Sequence, residues 1–66
     1  MRTGDIVRVK PDVAKAYFWP VRGFAERLKP AKVLDVFTDK VQIEFEHIFF
    51  PEKYRYLIQK SDLERA

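Results

Sequence analysis

Residues 41–46 read VQIEFE, with apolar and polar side chains in strict alternation. A period of two belongs to a strand with one covered and one wet face; a helix of 3.6 residues per turn would scatter the same residues around its axis. Val41, Ile43 and Phe45 therefore face a core, and Gln42, Glu44 and Glu46 face water. Prolines at 11, 20, 30 and 51 punctuate the chain and deny it long uninterrupted elements. Under the same alternation, DIVRVK at 5–10 is a first strand with Val7 and Val9 on one side. Gly4 permits a turn before it, and Pro11, which has no N–H for a ladder, ends it. AKVLDVF at 31–37 is a strand joined to VQIEFE by Thr38-Asp39-Lys40, short enough for a hairpin turn. YRYLI at 54–58 is a fourth strand by composition. KSDLERA then gives a tight turn led by Ser61 or Asp62 and a short last strand burying Leu63, because a helix from Ser61 has no room to grow.

Residues 11–30 remain. Phe24 and Leu28 stand four apart, so GFAERL predicts one or two helical turns with one apolar face, stopped by Pro30. Residues 13–18 stay open between helix and extended chain, and Trp19, preceding Pro20, is biased to extended geometry. The 66 residues make one domain, 1–66. A chain of this size buries roughly 60% of its unfolded surface and nets about 3–5 kcal/mol from one core. With no cysteine there is no disulfide to help, so stability comes from packing of the aromatics or from a partner.

Strand, long loop with a short helical turn, hairpin, strand, tight turn and short strand is the plan of a small, mainly β, five-stranded SH3-like barrel. Gly4–Val9, Ala31–Glu46 and Tyr56–Glu64 carry that resemblance. With Tyr17-Phe18-Trp19 after the first strand and Asp62-Leu63-Glu64 near the end, the chain resembles small barrel proteins that dock on electron-transfer complexes. These are the small barrel chain of photosystem I, the variable chain of ferredoxin–thioredoxin reductase and small peripheral chains of the cyanobacterial NDH-1 complex. The resemblance implies a non-catalytic accessory subunit. The frame is also similar to KOW and Tudor barrels, which bind nucleic acid or modified peptides. The opening strand and Leu63-Glu64-Arg65 resemble the plasmid-encoded tetrameric dihydrofolate reductase as well. Where that enzyme's pore has Gln-Ile-Tyr, this chain has Tyr56-Leu57-Ile58.

Catalytic chemistry finds little to work with. One His and no Cys give no metal-ligand set, and His47 reads as a solvent-facing loop residue. Ser61, the single serine, reads as a turn or cap residue rather than a nucleophile. Glu44 and Glu46 share an ordinary solvated strand face, and Gly4 and Gly23 make no phosphate-cradling loop. The expectation is no enzyme, no catalytic residue, no cofactor and no metal. No apolar run approaches the ~20 residues of a spanning helix, and MRTGDIVRV lacks a signal-peptide core, so the chain reads as cytoplasmic without membrane insertion.

Charge and rings concentrate in the loop. Residues 1–33 carry eight cations against three acids, whereas residues 34–66 carry five against seven. Between Lys15 and Lys32 the only acid is Glu26. Tyr17, Phe18 and Trp19 are consecutive, so at least one must turn away from a core in extended chain. At least two of Tyr17, Phe18, Trp19 and Phe24 are expected to be mostly covered as lids. The candidate partner-binding residues are Lys15, Tyr17, Phe18, Trp19, Arg22, Arg27 and Lys29. Protein docking ranks first, a nucleic-acid backbone second, and a subunit of an oligomeric enzyme third. Phe49, Phe50, Tyr54 and Tyr56 around Pro51 form a second aromatic group, which leaves self-association open.

Overall fold

The expected strand segments all become strands: β1 (Ile6–Val9), β2 (Ala31–Val36), β3 (Lys40–Phe45), β4 (Arg55–Gln59) and β5 (Leu63–Arg65). The structure, a computed structural model, describes residues 1–66, the side chain of Pro51 excepted. The strands form one antiparallel sheet in the order β4-β3-β2-β1-β5. Hydrogen bonding does not close it: β4 and β5 are its edges, and the expected barrel closure is absent from the ladder. The three-residue 3₁₀ turn Lys60–Asp62 carries the chain from one edge of the sheet to the other. The Lys10 N–H then donates to the Asp62 carbonyl at 2.8 Å and seats β5 beside β1. Ser61 lies inside this turn without capping it.

Val41, Ile43 and Phe45 are buried as expected, and Val7, Val9, Ile58 and Leu63 join them. β2 departs from simple alternation. Val33 pairs with Ile43 and Asp35 with Gln42, which leaves Leu34 as an extra residue in a β-bulge. The bulge lets buried Val33 and half-buried Val36, three apart, face the same side. Outside, Lys32 stands opposite Glu44, and the Arg55 Nε donates to Glu44 Oε2 at 2.7 Å. Arg8 Nε makes the same contact with Glu64 Oε2 at 2.6 Å.

The long connection is structured throughout. Pro11–Ala16 is a 3₁₀ segment that buries Ala14, and α1 (Val21–Glu26) buries Val21, Gly23 and Ala25. Phe24 of α1 lays its ring 4.4 Å from that of Phe45 and 5.8 Å from that of Tyr54, lidding the sheet. Leu28 does not share this face. The helix stops at Glu26, before Pro30 can act, in a Schellman arrangement: the Leu28 N–H donates to Ala25 O and the Lys29 N–H to Phe24 O. Leu28 occupies the left-handed position at φ 56° and is largely exposed. Among the described residues, no helix is long and apolar enough to cross a membrane.

Candidate binding surface

The parity of three consecutive rings decides this surface. Tyr17 follows the 3₁₀ segment in extended geometry (φ −117°, ψ 155°), turns inward, and packs on the core. Its hydroxyl donates to Asp62 Oδ2, fastening the loop to the β4–β5 turn 45 residues later. Burial first, and then the Asp62 carboxylate that takes the hydrogen bond and repels a phenolate, hold the Tyr17 hydroxyl well above the ordinary phenol range. The nearby Gln59 backbone acts the other way.

Phe18 and Trp19 are consequently turned out. Phe18 is 90% exposed and Trp19 67% exposed. Trp19 is not free, however. A Cβ placed on Gly23 would lie 2.0 Å from its Cζ3 and 2.8 Å from its Cε3 and Cη2. The indole thus rests on the bare backbone of α1, and Gly23 is the position that permits it. Of the four rings Tyr17, Phe18, Trp19 and Phe24, Tyr17 and Phe24 are mostly covered and the other two are displayed.

The displayed rings border a shallow hollow of about 260 Å³ lined by Tyr17, Phe18, Trp19, Val21, Tyr56, Leu57 and Ile58. Leu57, on the wet side of β4, is 54% exposed and continues the apolar lining. Burial chiefly, with the neighbouring Tyr54 second, raises the pKa of the Tyr56 hydroxyl. Lys15 and Arg22 stand in the segments on either side of the rings, the first exposed and the second held only loosely by Glu26 at 4.0 Å. Arg27 and Lys29 are exposed beyond the far end of α1, about 9 Å from its start at 1.5 Å per residue. They do not line the hollow. The structure therefore gathers Tyr17, Phe18 and Trp19 at one place, leaves Lys15 and Arg22 in the adjoining segments outside the hollow's lining, and sets Arg27 and Lys29 beyond the far end of α1.

A second hollow, of about 300 Å³, lies on the outer face of the sheet among Ile6, Pro30, Ala31, Lys32, Glu44, Glu46 and His47. Its central charge, Glu44, is already engaged by Arg55, and the hollow presents mixed charge rather than an anchor for a ring. Among the described residues no group of three or more His, Asp or Glu side chains is arranged to hold a metal ion.

His47 has a role that its sequence position conceals. Its ring stacks on Tyr54 at 4.6 Å, and its Nδ1 accepts the Phe50 N–H at 3.0 Å and the Phe49 N–H at 3.3 Å. With Nδ1 an acceptor, the ring proton of the neutral form sits on Nε2. This histidine is an organising post for the 48–50 turn rather than the solvent-facing residue expected. Ile48 and Phe49 are left in water beyond it, while Lys53 Nζ lies 4.4 Å over the Phe50 ring. Consecutive rings around a lone imidazole were the available signal. Compared with known proteins, the chain matches no family model, no curated protein and no solved structure.

Proposed function

We propose that this chain is a non-catalytic binding module or small accessory subunit that docks on a protein partner through the 15–22 face. The observation that carries this reading is the pair Phe18 and Trp19. They are held in water at a defined place because Tyr17 is fastened inward and Gly23 seats the indole. Rigid aromatic rings beside an apolar hollow, with Lys15 and Arg22 in the adjoining segments, form the composition that anchors protein contacts. The order of the elements supports an SH3-like frame, in which the long loop after the first strand borders the ligand-binding face. A nucleic-acid backbone would call on the cations more than on the rings. Here two of the candidate cations, Arg27 and Lys29, stand away from the rings, which favours protein.

The reading is tested by a photo-crosslinking phenylalanine analogue placed at Phe18 and, as a control, at exposed Asp35, in the source cell. A discrete protein adduct at position 18 and none at 35 is expected. Adducts to nucleic acid at 18, or equal protein labelling at both positions, would overturn it.

A further inference from the structure

The outer edge of β4 is an unpaired strand edge beside the hollow, and no backbone hydrogen bond joins residues 17–21 to residues 55–59 among the described residues. The Lys60 N–H donates to Asp39 O at 3.0 Å, on the β3 side, so the N–H of Gln59, one residue earlier, faces the outer side. By the period of two, the N–H groups of Leu57 and Arg55 face the same side. A row of outward donors and acceptors is a template for one more strand. The two segments that wall this edge are unusually one-sided in charge. Residues 13–25 hold Lys15 and Arg22 and no acid, and residues 53–60 hold Lys53, Arg55 and Lys60 and no acid. Arg55 is shared with Glu44 of β3 and Arg22 loosely with Glu26, which leaves Lys15, Lys53 and Lys60 as the cations without an ion pair among the described residues.

We infer that the β4 edge and the Phe18–Trp19 hollow together take an extended acidic peptide segment of a partner, added as a sixth strand, with one apolar side chain seated between Trp19 and Leu57. This deepens the docking reading and rests on it. Backbone bonding to the edge supplies affinity, and the hollow selects one side chain while its neighbours point away. The charge pattern decides between this occupant and a second copy of the chain. Antiparallel pairing of β4 with its own copy would bring a second set of Lys53, Arg55 and Lys60 into the same ladder with no acid from either strand to offset them, and the summed like charge works against that pair. An acidic strand meets them with the opposite sign.

The probe is a pool of blocked nine-residue peptides in which Glu or Asp alternates with Val, with Val, Leu, Phe or Trp at the centre. Each of the Val-, Leu- and Phe-centred members is titrated against the fluorescence of Trp19, the only tryptophan. The Trp-centred member is followed by the amide shifts of residues 55–59. The tightest member is then made in two N-methylated forms, one at odd and one at even positions, and in a Gln/Asn form. Only one set of peptide N–H groups can face β4. One N-methylated form should therefore lose about tenfold or more in affinity while the other binds like the parent. The Gln/Asn form should lose a comparable factor, and the amides of Arg55 and Leu57 should become protected from exchange. If both N-methylated forms bind like the parent, side chains alone do the binding; edge addition is wrong while protein docking stands. If no member of the pool binds, edge addition is also wrong, and the crosslinking result at position 18 decides the docking reading separately. If a mixed-sequence single-stranded oligonucleotide binds, with affinity falling steeply in salt, and no peptide does, both readings fail together.

Discussion

Gly23→Ala isolates the seat of Trp19. The new methyl would sit 2.0 Å from the indole Cζ3, so the ring must leave. At 67% exposure, one third of the ring's surface is covered and can be lost. Taking ~250 Å² for a full tryptophan, that is ~80 Å², or up to ~2 kcal/mol at ~25 cal/mol per Å². Against this, alanine in place of glycine inside a helix gains about 1 kcal/mol. The single variant should therefore lie between no change and a loss of about 1 kcal/mol, a Tm drop of at most roughly 4–8 °C for a domain this small. In a Trp19→Ala background the clash is gone, and Gly23→Ala should stabilise by the full ~1 kcal/mol. Thermal melts of the four proteins, followed by far-UV circular dichroism, give a coupling of about 1–2 kcal/mol. The emission of Trp19 in Gly23→Ala should shift to the red. Equal effects of Gly23→Ala in both backgrounds, with unchanged emission, would refute the seating of the indole on the helix and remove the reason for its fixed display.

Tyr17→Phe removes the hydroxyl bonded to Asp62 and should cost about 1–2 kcal/mol in a urea melt. Because the folded state raises the Tyr17 pKa above its ordinary ~10, the stability it contributes is full below that pH and is lost as pH climbs past it. The wild-type chain should accordingly weaken at alkaline pH more steeply than Tyr17→Phe does. Phe45→Ala, which empties the centre of the core, should cost about 3–5 kcal/mol, enough to unfold the domain by circular dichroism, whereas Phe18→Ala should stay within about 0.5 kcal/mol of wild type. Leu28→Gly should raise the melting temperature slightly, a net gain of about 0.5 kcal/mol once the left-handed backbone at φ 56° is relieved, while Leu28→Val should lower it.

The strands were legible because each inward residue repeats every second position; Val41, Ile43 and Phe45 are buried along β3 without exception. β2 was readable in extent but not in register, since the Leu34 bulge changes which residues face inward partway along. The spacing of Val33 and Val36 was its one trace. Phe24 and Leu28 look like a helical pair four apart, yet the helix ends before the second of them, because the Schellman bonds close on Phe24 and Ala25. That three adjacent rings cannot all turn inward was evident from the chain alone. Which one would was not, since the choice depends on Asp62, a residue remote in sequence that supplies the acceptor for Tyr17. Arg27 and Lys29 stand apart from the rings for a related reason: their proximity in sequence is undone by the helix between them.

Phe18 and Trp19 on one flank, with Ile48 and Phe49 in the 48–50 turn, give the molecule sticky spots that only a modest net charge of +3 keeps apart. Ionic strength then governs its colloidal behaviour. Screening that charge with salt should let copies cling through these displayed rings. A copy whose rings are covered should tolerate crowding and salt that would precipitate a bare one.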